Sequence, residues 1–328
     1  VKWKSSPIIS SGKIVKPSIW VAILVILAVL PLFIKSPYLI HIINLTFIYI
    51  IVTVSFRTIL TSGQLPLAHA GFMGIGAYVS AIAAKSFGVS PWLSIPLGAL
   101  VAMGVGILIG YPFARLRTVY YAMISLFFGM LIVSAVKAFA RWTGGAAGLT
   151  GIPPLLGFNK VPYYYFFLGL TSVTLLILYR LESSRPGLNW KAIAQSHMVA
   201  ASVGINEARY RIIASAIGCL FAGIAGATYA HYNTVIGTTS FSFMATIMLL
   251  IYVVVGGVGN FTGPIVGVFL LMTVPELLRG LREYVPYISA AIVLIVVYLM
   301  PKGVAGLIKS FVSWFAELWK KRRASNAS

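Results

Sequence analysis

Aspartate is absent from the chain, and glutamate occurs only five times, as Glu182, Glu207, Glu276, Glu283 and Glu317. Each of the five falls near the end of an apolar run, so no pair of carboxylates is available for general acid–base work. Ordinary interfacial ion pairs account for most of them: Glu207 and Arg211 are four apart, as are Arg279 and Glu283. The four histidines, His41, His69, His197 and His231, show no metal-ligand spacing. A single cysteine, Cys219, excludes an internal disulfide and reads as a buried, inert thiol. Neither a GxSxG elbow nor a phosphate-binding loop occurs, which removes serine-hydrolase and ATP-binding chemistry. An enzyme is not expected, nor a metal or cofactor held by this chain.

Charge of either sign is scarce as well, at 9% of residues against 59% hydrophobic. Soluble domains carry roughly a quarter charged residues. No soluble core could hide this much apolar surface, and no stretch has soluble composition for more than about 30 residues. The chain is therefore expected to be an all-α integral membrane protein, whose helices of about 20 apolar residues satisfy their own backbone groups in lipid.

What is abundant is positive charge: 25 Lys and Arg give a formal net charge of +20. These residues sit between apolar runs rather than in one patch, which fits the positive-inside rule and not nucleic-acid binding. Apolar runs broken by Gly, Pro and basic residues suggest about ten spans, near 19–34, 38–56, 66–86, 91–110, 119–140, 162–179, 210–231, 241–257, 264–281 and 285–300. With both termini cytoplasmic, only Lys35, Lys85, Lys137, Arg141, Lys160, Arg279 and Arg282 lie outside, and the other basic residues lie inside. Nine spans with a re-entrant segment would barely alter that asymmetry. Lys2, Lys4, Lys13 and Lys16 precede the first run without a small-residue cleavage site after it, as in an uncleaved signal anchor.

The chain thus divides into a cytoplasmic N-terminal segment 1–18, a transmembrane domain 19–306 and a tail 307–328. In the tail, Leu307, Phe311, Trp314, Leu318 and neighbours share one helical face before a KKRR run, which suits a helix on an anionic membrane surface. The outside segment 141–161 is rich in Gly and Pro and reads as loop. The inside segment 181–209 holds helix-forming stretches, notably 190–203.

The segment from Gly63 to Tyr78 is unlike the other spans. It combines Gln64, Pro66 and His69 with closely spaced Gly71, Gly74 and Gly76 before Tyr78. Small residues let helix backbones approach closely, and Pro66 frees a backbone carbonyl. A broken helix beside a translocation path would use both; tight packing with a satisfied His69 would use the same residues. Elsewhere the span interiors are almost free of ionisable groups, His69 being the main candidate. Proton- or ion-coupled carriers keep such groups at mid-membrane, so energy for transport would come from another chain.

The run GQLPLAHAGFMGIGAY at 63–78 resembles the signature of LivM- and LivH-type permeases, the membrane subunits of bacterial branched-chain amino acid ABC importers. Further similarities follow in order: Thr143-Gly144-Gly145 with Gly148 to Pro153, Phe221 to Ala227, Val255 to Gly259 with Gly263-Pro264, Pro275 to Leu278, and Pro301-Lys302-Gly303. The likeness runs from about residue 44 to 307, and the GLTGIP loop favours the LivM type. It implies a multi-pass permease of the bacterial cytoplasmic membrane, paired with a LivH-like chain. It also implies two cytoplasmic ATPases that bind the ATP, and an external solute-binding protein. The implied coupling helix contains Arg185, Gly187, Lys191, Ala192, Ile193, Ala200 and Gly204 at matching positions, whereas Leu188, Ala194, Gln195 and His197 depart from the charged pattern. The implied cargo is a branched-chain amino acid or a similar small polar solute. A rival expectation is an ATPase-independent channel or facilitator for a small neutral solute such as urea.

Overall fold

Proline and glycine punctuation sets the helix limits. The structure, a computed structural model, describes residues 17–33, 36–114, 116, 118–277 and the scattered positions 290, 294, 298, 303, 304 and 306. Prolines open α2 (Pro37–Leu60) and α4 (Pro91–Phe113), where a missing N–H costs nothing. Between them α3 (His69–Phe87) ends on left-handed Gly88. The first helix, α1 (Pro17–Phe33), carries Pro31 inside it. Proline at that position frees the carbonyl of Leu27, one turn back, and the Tyr164 hydroxyl donates to it at 2.5 Å.

The chain continues with α5 (Thr118–Ala138), the single turn α6 (Ala140–Thr143), α7 (Lys160–Ser183), the short helices α8 (Arg185–Gln195) and α9 (His197–Ser202), and α10 (Glu207–Asn233). Two further helices follow, α11 (Phe243–Gly256) and α12, described over Gly263–Leu277, joined by a turn at 257–262. Six of these, α2, α3, α4, α5, α7 and α10, are long and apolar enough to cross a membrane. Within α1, α11 and α12 lie shorter apolar helices. The expected spans up to 264–281 each coincide with one of these nine helices among the described residues. The expected span 285–300, apart from single positions, the tail 307–328 and all of the expected N-terminal segment 1–18 but residues 17 and 18, which belong to α1, lie outside the described residues.

The bundle is layered. In α2, α3 and α10, 67% of the most apolar window is buried, against 22% in α5 and 33% in α4. The inner three are packed on one another and on α4 through small residues: Gly76 of α3 meets the backbone of Gly223 in α10, and Gly98 of α4 sits against the Gly76 carbonyl. Lipid gives no hydrophobic drive for helices to associate, so van der Waals contact at such notches holds them. The outer helices point Leu97, Leu108, Phe127 and Leu131 away from the protein, as lipid solvation permits.

The segment expected as external loop is ordered by a two-stranded ribbon, Leu149–Thr150 (β1) antiparallel to Val235–Ile236 (β2). His231 fastens it further: its Nδ1 lies 2.7 Å from the Pro153 carbonyl, while Nε2 lies 2.9 Å and 3.0 Å from the hydroxyls of Ser80 and Ser94. At the opposite end of α10, Arg211 donates to the carbonyls of Ala114 and Leu116 after α4, and pairs with Glu207 at 2.6 Å, the interfacial pair expected from the spacing.

Candidate functional site

Between α2 and α3 the backbone is non-helical from 61 to 68, yet Ser62, Gln64 and Ala68 are buried. The break therefore straddles the expected start of this span at 66: Gln64 and Pro66 lie in it, and the helix begins at His69. Non-helical backbone inside a bundle requires partners from neighbouring elements. The α5 hydroxyls supply them: Thr118 donates to the Gly63 carbonyl at 2.8 Å, and Ser125 accepts from the Leu67 N–H at 3.1 Å. At the start of α3, the Ala70 N–H donates to Thr246 of α11 at 3.2 Å. Gly63 turns the chain at φ +82°, a conformation that a side chain disfavours.

His69 is fully buried, edge-on to Phe56, with Nε2 2.9 Å from the Ser55 hydroxyl. Ser55 donates to the Val52 carbonyl at 2.8 Å. That hydroxyl has one proton, so His69 Nε2–H is the donor to it and Nδ1 is an acceptor. His69 Nδ1, the Gln64 Oε1 and the Tyr78 hydroxyl are all buried without a protein hydrogen-bond partner. From His69 to Tyr78 the helix rises about 13 Å. The three glycines between them are contact notches: Gly71 faces Ile132 and Gly129 of α5, Gly74 faces Phe241, and Gly76 faces Gly223.

The second constellation is α8 and α9. Gly187 lies against the Glu182 backbone, too close for any side chain. Trp190 is fully buried, and its indole N–H donates to the Tyr210 carbonyl of α10 at 2.8 Å. Ile193 is buried too, and Ala194 is the residue that a side chain at Gly63 would touch, at 3.2 Å from its Cα. So α8 rests on α7, on α10 and on the break ahead of α3, and the two groups of residues singled out in the sequence meet at Gly63 and Ala194. Ala192 is half-buried, Ala200 is buried in α9, and Gly204 ends the segment at φ +82°. The outward edge carries Arg185 and Lys191 together with four exposed apolar side chains, Leu188, Met198, Val199 and Val203.

Beneath α8 lies a group of charges that local sequence patterns did not mark. Arg57, near the end of α2 and 2% exposed, forks onto Glu182 at 2.5 Å and 3.1 Å. Its Nε–H donates to the Val258 carbonyl at 2.9 Å, and its guanidinium stands 5.8 Å above the Phe261 ring. Lys191 of α8 completes the cluster, 3.0 Å from the second Glu182 oxygen. Among the described residues no group of His, Cys, Asp or Glu is arranged to hold a metal ion. Cys219 is buried against the notch at Gly106.

Comparison with known proteins gives a consistent picture. The family model described as branched-chain amino acid transport system / permease component matches residues 38–301. The chain is 29% identical to the high-affinity branched-chain amino acid transport system permease protein LivM of Escherichia coli K12, over 89% of this chain and 76% of that one. It is 29% identical to the LivH permease protein of Salmonella typhimurium LT2 over 56% of this chain and 55% of that one. With the probable LivH permease protein of Methanocaldococcus jannaschii it shares 21% over 76% of this chain and 85% of the other. No solved structure matches.

Proposed function

Because the chain belongs to the family of branched-chain amino acid permease components, transport subunits and not enzymes, we propose that it forms one half of the membrane channel of an ATP-driven importer. Its partners in this reading are a LivH-like permease chain, two cytoplasmic ATPases that bind the ATP, and an external solute-binding protein. The cargo is a branched-chain amino acid or a similar small polar solute. The membrane is the bacterial cytoplasmic membrane, with both termini on the cytoplasmic side, the orientation that the asymmetry of basic residues favours.

The observation that carries this reading is α8. A short helix whose inner face is fixed to α7, α10 and the break before α3 is placed to pass a push from outside into the bundle centre. Its outer edge, with Leu188, Met198, Val199 and Val203 exposed, is the face for an ATPase groove. Arg185 and Lys191 flank it. Gly187, Ile193 and Ala200, buried on the other side, anchor the helix. Displacement of α8 moves Gly63, and with it the segment carrying Gln64, Pro66 and His69, so the two ends of the path open alternately. The free polar atoms of Gln64, His69 and Tyr78 give a passing zwitterion hydrogen-bonding groups without a fixed charge to trap it.

The test is a surface substitution that spares the anchors. Leu188→Asp with Val199→Asp places two charges on the exposed edge and should abolish co-purification of the ATPases together with ATP-dependent uptake, while the permease chain still folds. Uptake that persists in this variant without bound ATPase would point instead to a facilitator.

A further inference from the structure

Trp190, Ile193 and Gly187 pack α8 onto the bundle, and the Arg57–Glu182 cluster adds polar bonds to that packing. Its geometry reaches further. Glu182 accepts from Lys191 on α8 and from Arg57 on α2. Arg57 in turn donates to the Val258 carbonyl, in the turn between α11 and α12. Phe261 of the same turn lies under the Arg57 guanidinium and edge-on to Tyr179 of α7, with ring centres 5.3 Å apart. The bonds run from α8 through α7 and α2 to the turn, which has no other charged partner among the described residues.

We propose that Arg57 and Glu182 are positioning residues that join α8 to the α11–α12 turn, so that the two move as one body and a stroke on α8 reaches the second half of the bundle directly. The energetics favour such a role. A planar guanidinium offers five donors in a fixed fork, which lets Arg57 hold Glu182 and Val258 simultaneously; a lysine would supply only a point charge. Buried ion pairs can be exchanged for apolar pairs of similar volume with little loss of stability, so stability alone gives weak reason to keep one. A bonded pair that fixes relative geometry does give such a reason. The helices on either side of the turn, α11 and α12, both pack on α2. Two separate inputs from α8, through Gly63 and through Arg57, would then reach the bundle.

This inference rests on the proposed function for its transport readout, so the experiment has two arms. The first uses the complete importer in proteoliposomes and compares wild type with Arg57→Met/Glu182→Leu, an apolar pair. Solute taken up per ATP hydrolysed should fall by at least about tenfold, inside the roughly 5–150-fold range of coupling between sites, with ATP hydrolysis retained. An unchanged ratio overturns the joint, as does a parallel loss of both activities in a protein that remains folded. The second arm needs no ATPase. Spin labels at Leu188→Cys and Gly259→Cys, in a Cys219→Ala background, report the α8-to-turn distance in the full chain. A narrow distribution should broaden in the apolar-pair variant, and an unaltered one overturns the joint whatever the transport result. Arg57→Lys, which keeps the charge but cannot fork, should broaden it as well and stands in if the double variant does not fold. Absence of ATP-driven uptake by the wild type would overturn the proposed function alone, leaving the distance arm to decide the joint.

Discussion

Substituting Gly76 by alanine adds one methyl group at a tight contact between α3 and α10. The new Cβ would lie 2.7 Å from the Gly223 carbonyl carbon and nearer still to its Cα and oxygen. Carbon atoms rest at about 3.5–4.0 Å, so α3 and α10 must separate by roughly 1 Å or more. That separation cannot stay local. A Cβ added at Gly223 would itself lie 2.8 Å from Ala99 and Ala102 of α4, and one added at Gly98 would lie 2.5 Å from the Gly76 carbonyl oxygen. Overpacking costs typically about 1–3 kcal/mol, whereas replacing helical glycine by alanine gains about 0.5–1 kcal/mol from backbone propensity alone. The control is Gly169→Ala in α7, where a Cβ meets nothing within 4 Å. Thermal inactivation in mild detergent, followed by size-exclusion of the surviving monodisperse protein, reads both variants. The midpoint of Gly76→Ala should fall clearly below wild type, and that of Gly169→Ala should equal or exceed it. A Gly76→Ala protein as stable as the control would refute the assignment of Gly76 as a packing notch.

Other substitutions probe separate joints. Trp190→Ala empties a fully buried site and leaves the Tyr210 carbonyl without its donor; large aromatic deletions cost about 3–5 kcal/mol, so hydrogen exchange across 185–202 should rise sharply while α3 and α10 stay protected. Trp190→Phe, which removes the hydrogen bond and little volume, should lose only about 1 kcal/mol and keep α8 docked. Tyr164→Phe removes the donor to the Leu27 carbonyl and should destabilise by about 1–3 kcal/mol; in a Pro31→Ala background, where the helix can satisfy that carbonyl itself, the loss should largely vanish in a double-mutant cycle on thermal stability. Ser55→Ala takes away the partner of His69 Nε2 and should lower stability and uptake together, with Ser55→Thr restoring both.

The helices were legible because their signals are local. Apolar runs ending at Pro37, Gly88 and Pro91 mark boundaries without reference to any partner, and α2, α3 and α4 follow them closely. The oddity of the 63–78 segment was also visible, since Gln64, Pro66 and His69 conflict with a plain span. Which of its two explanations applies to each residue depends on neighbours that the sequence does not name. The glycines turned out to face α5, Phe241 and α10, while Gln64, His69 and Tyr78 keep polar atoms free. Glu182 and Arg57 were the harder case. They are 125 positions apart, each at the end of an apolar run, where a lone charge ordinarily meets water or headgroups. Nothing in one sequence indicates that two such ends converge. Gly187 and Ile193 were marked by the resemblance alone, and their burial together with Trp190 against α7 and α10 needed the fold.

Reconstitution decides whether this chain is, as proposed, a gate worked by other subunits. The chain should be assembled with its partner permease and ATPases in proteoliposomes, with the binding protein outside and labelled leucine as solute. Uptake should require ATP inside the ATPase compartment, the binding protein and an intact α8 edge, and should stop when any one is withheld. Leucine entering at the same rate without ATP, or through this chain alone, would contradict the account.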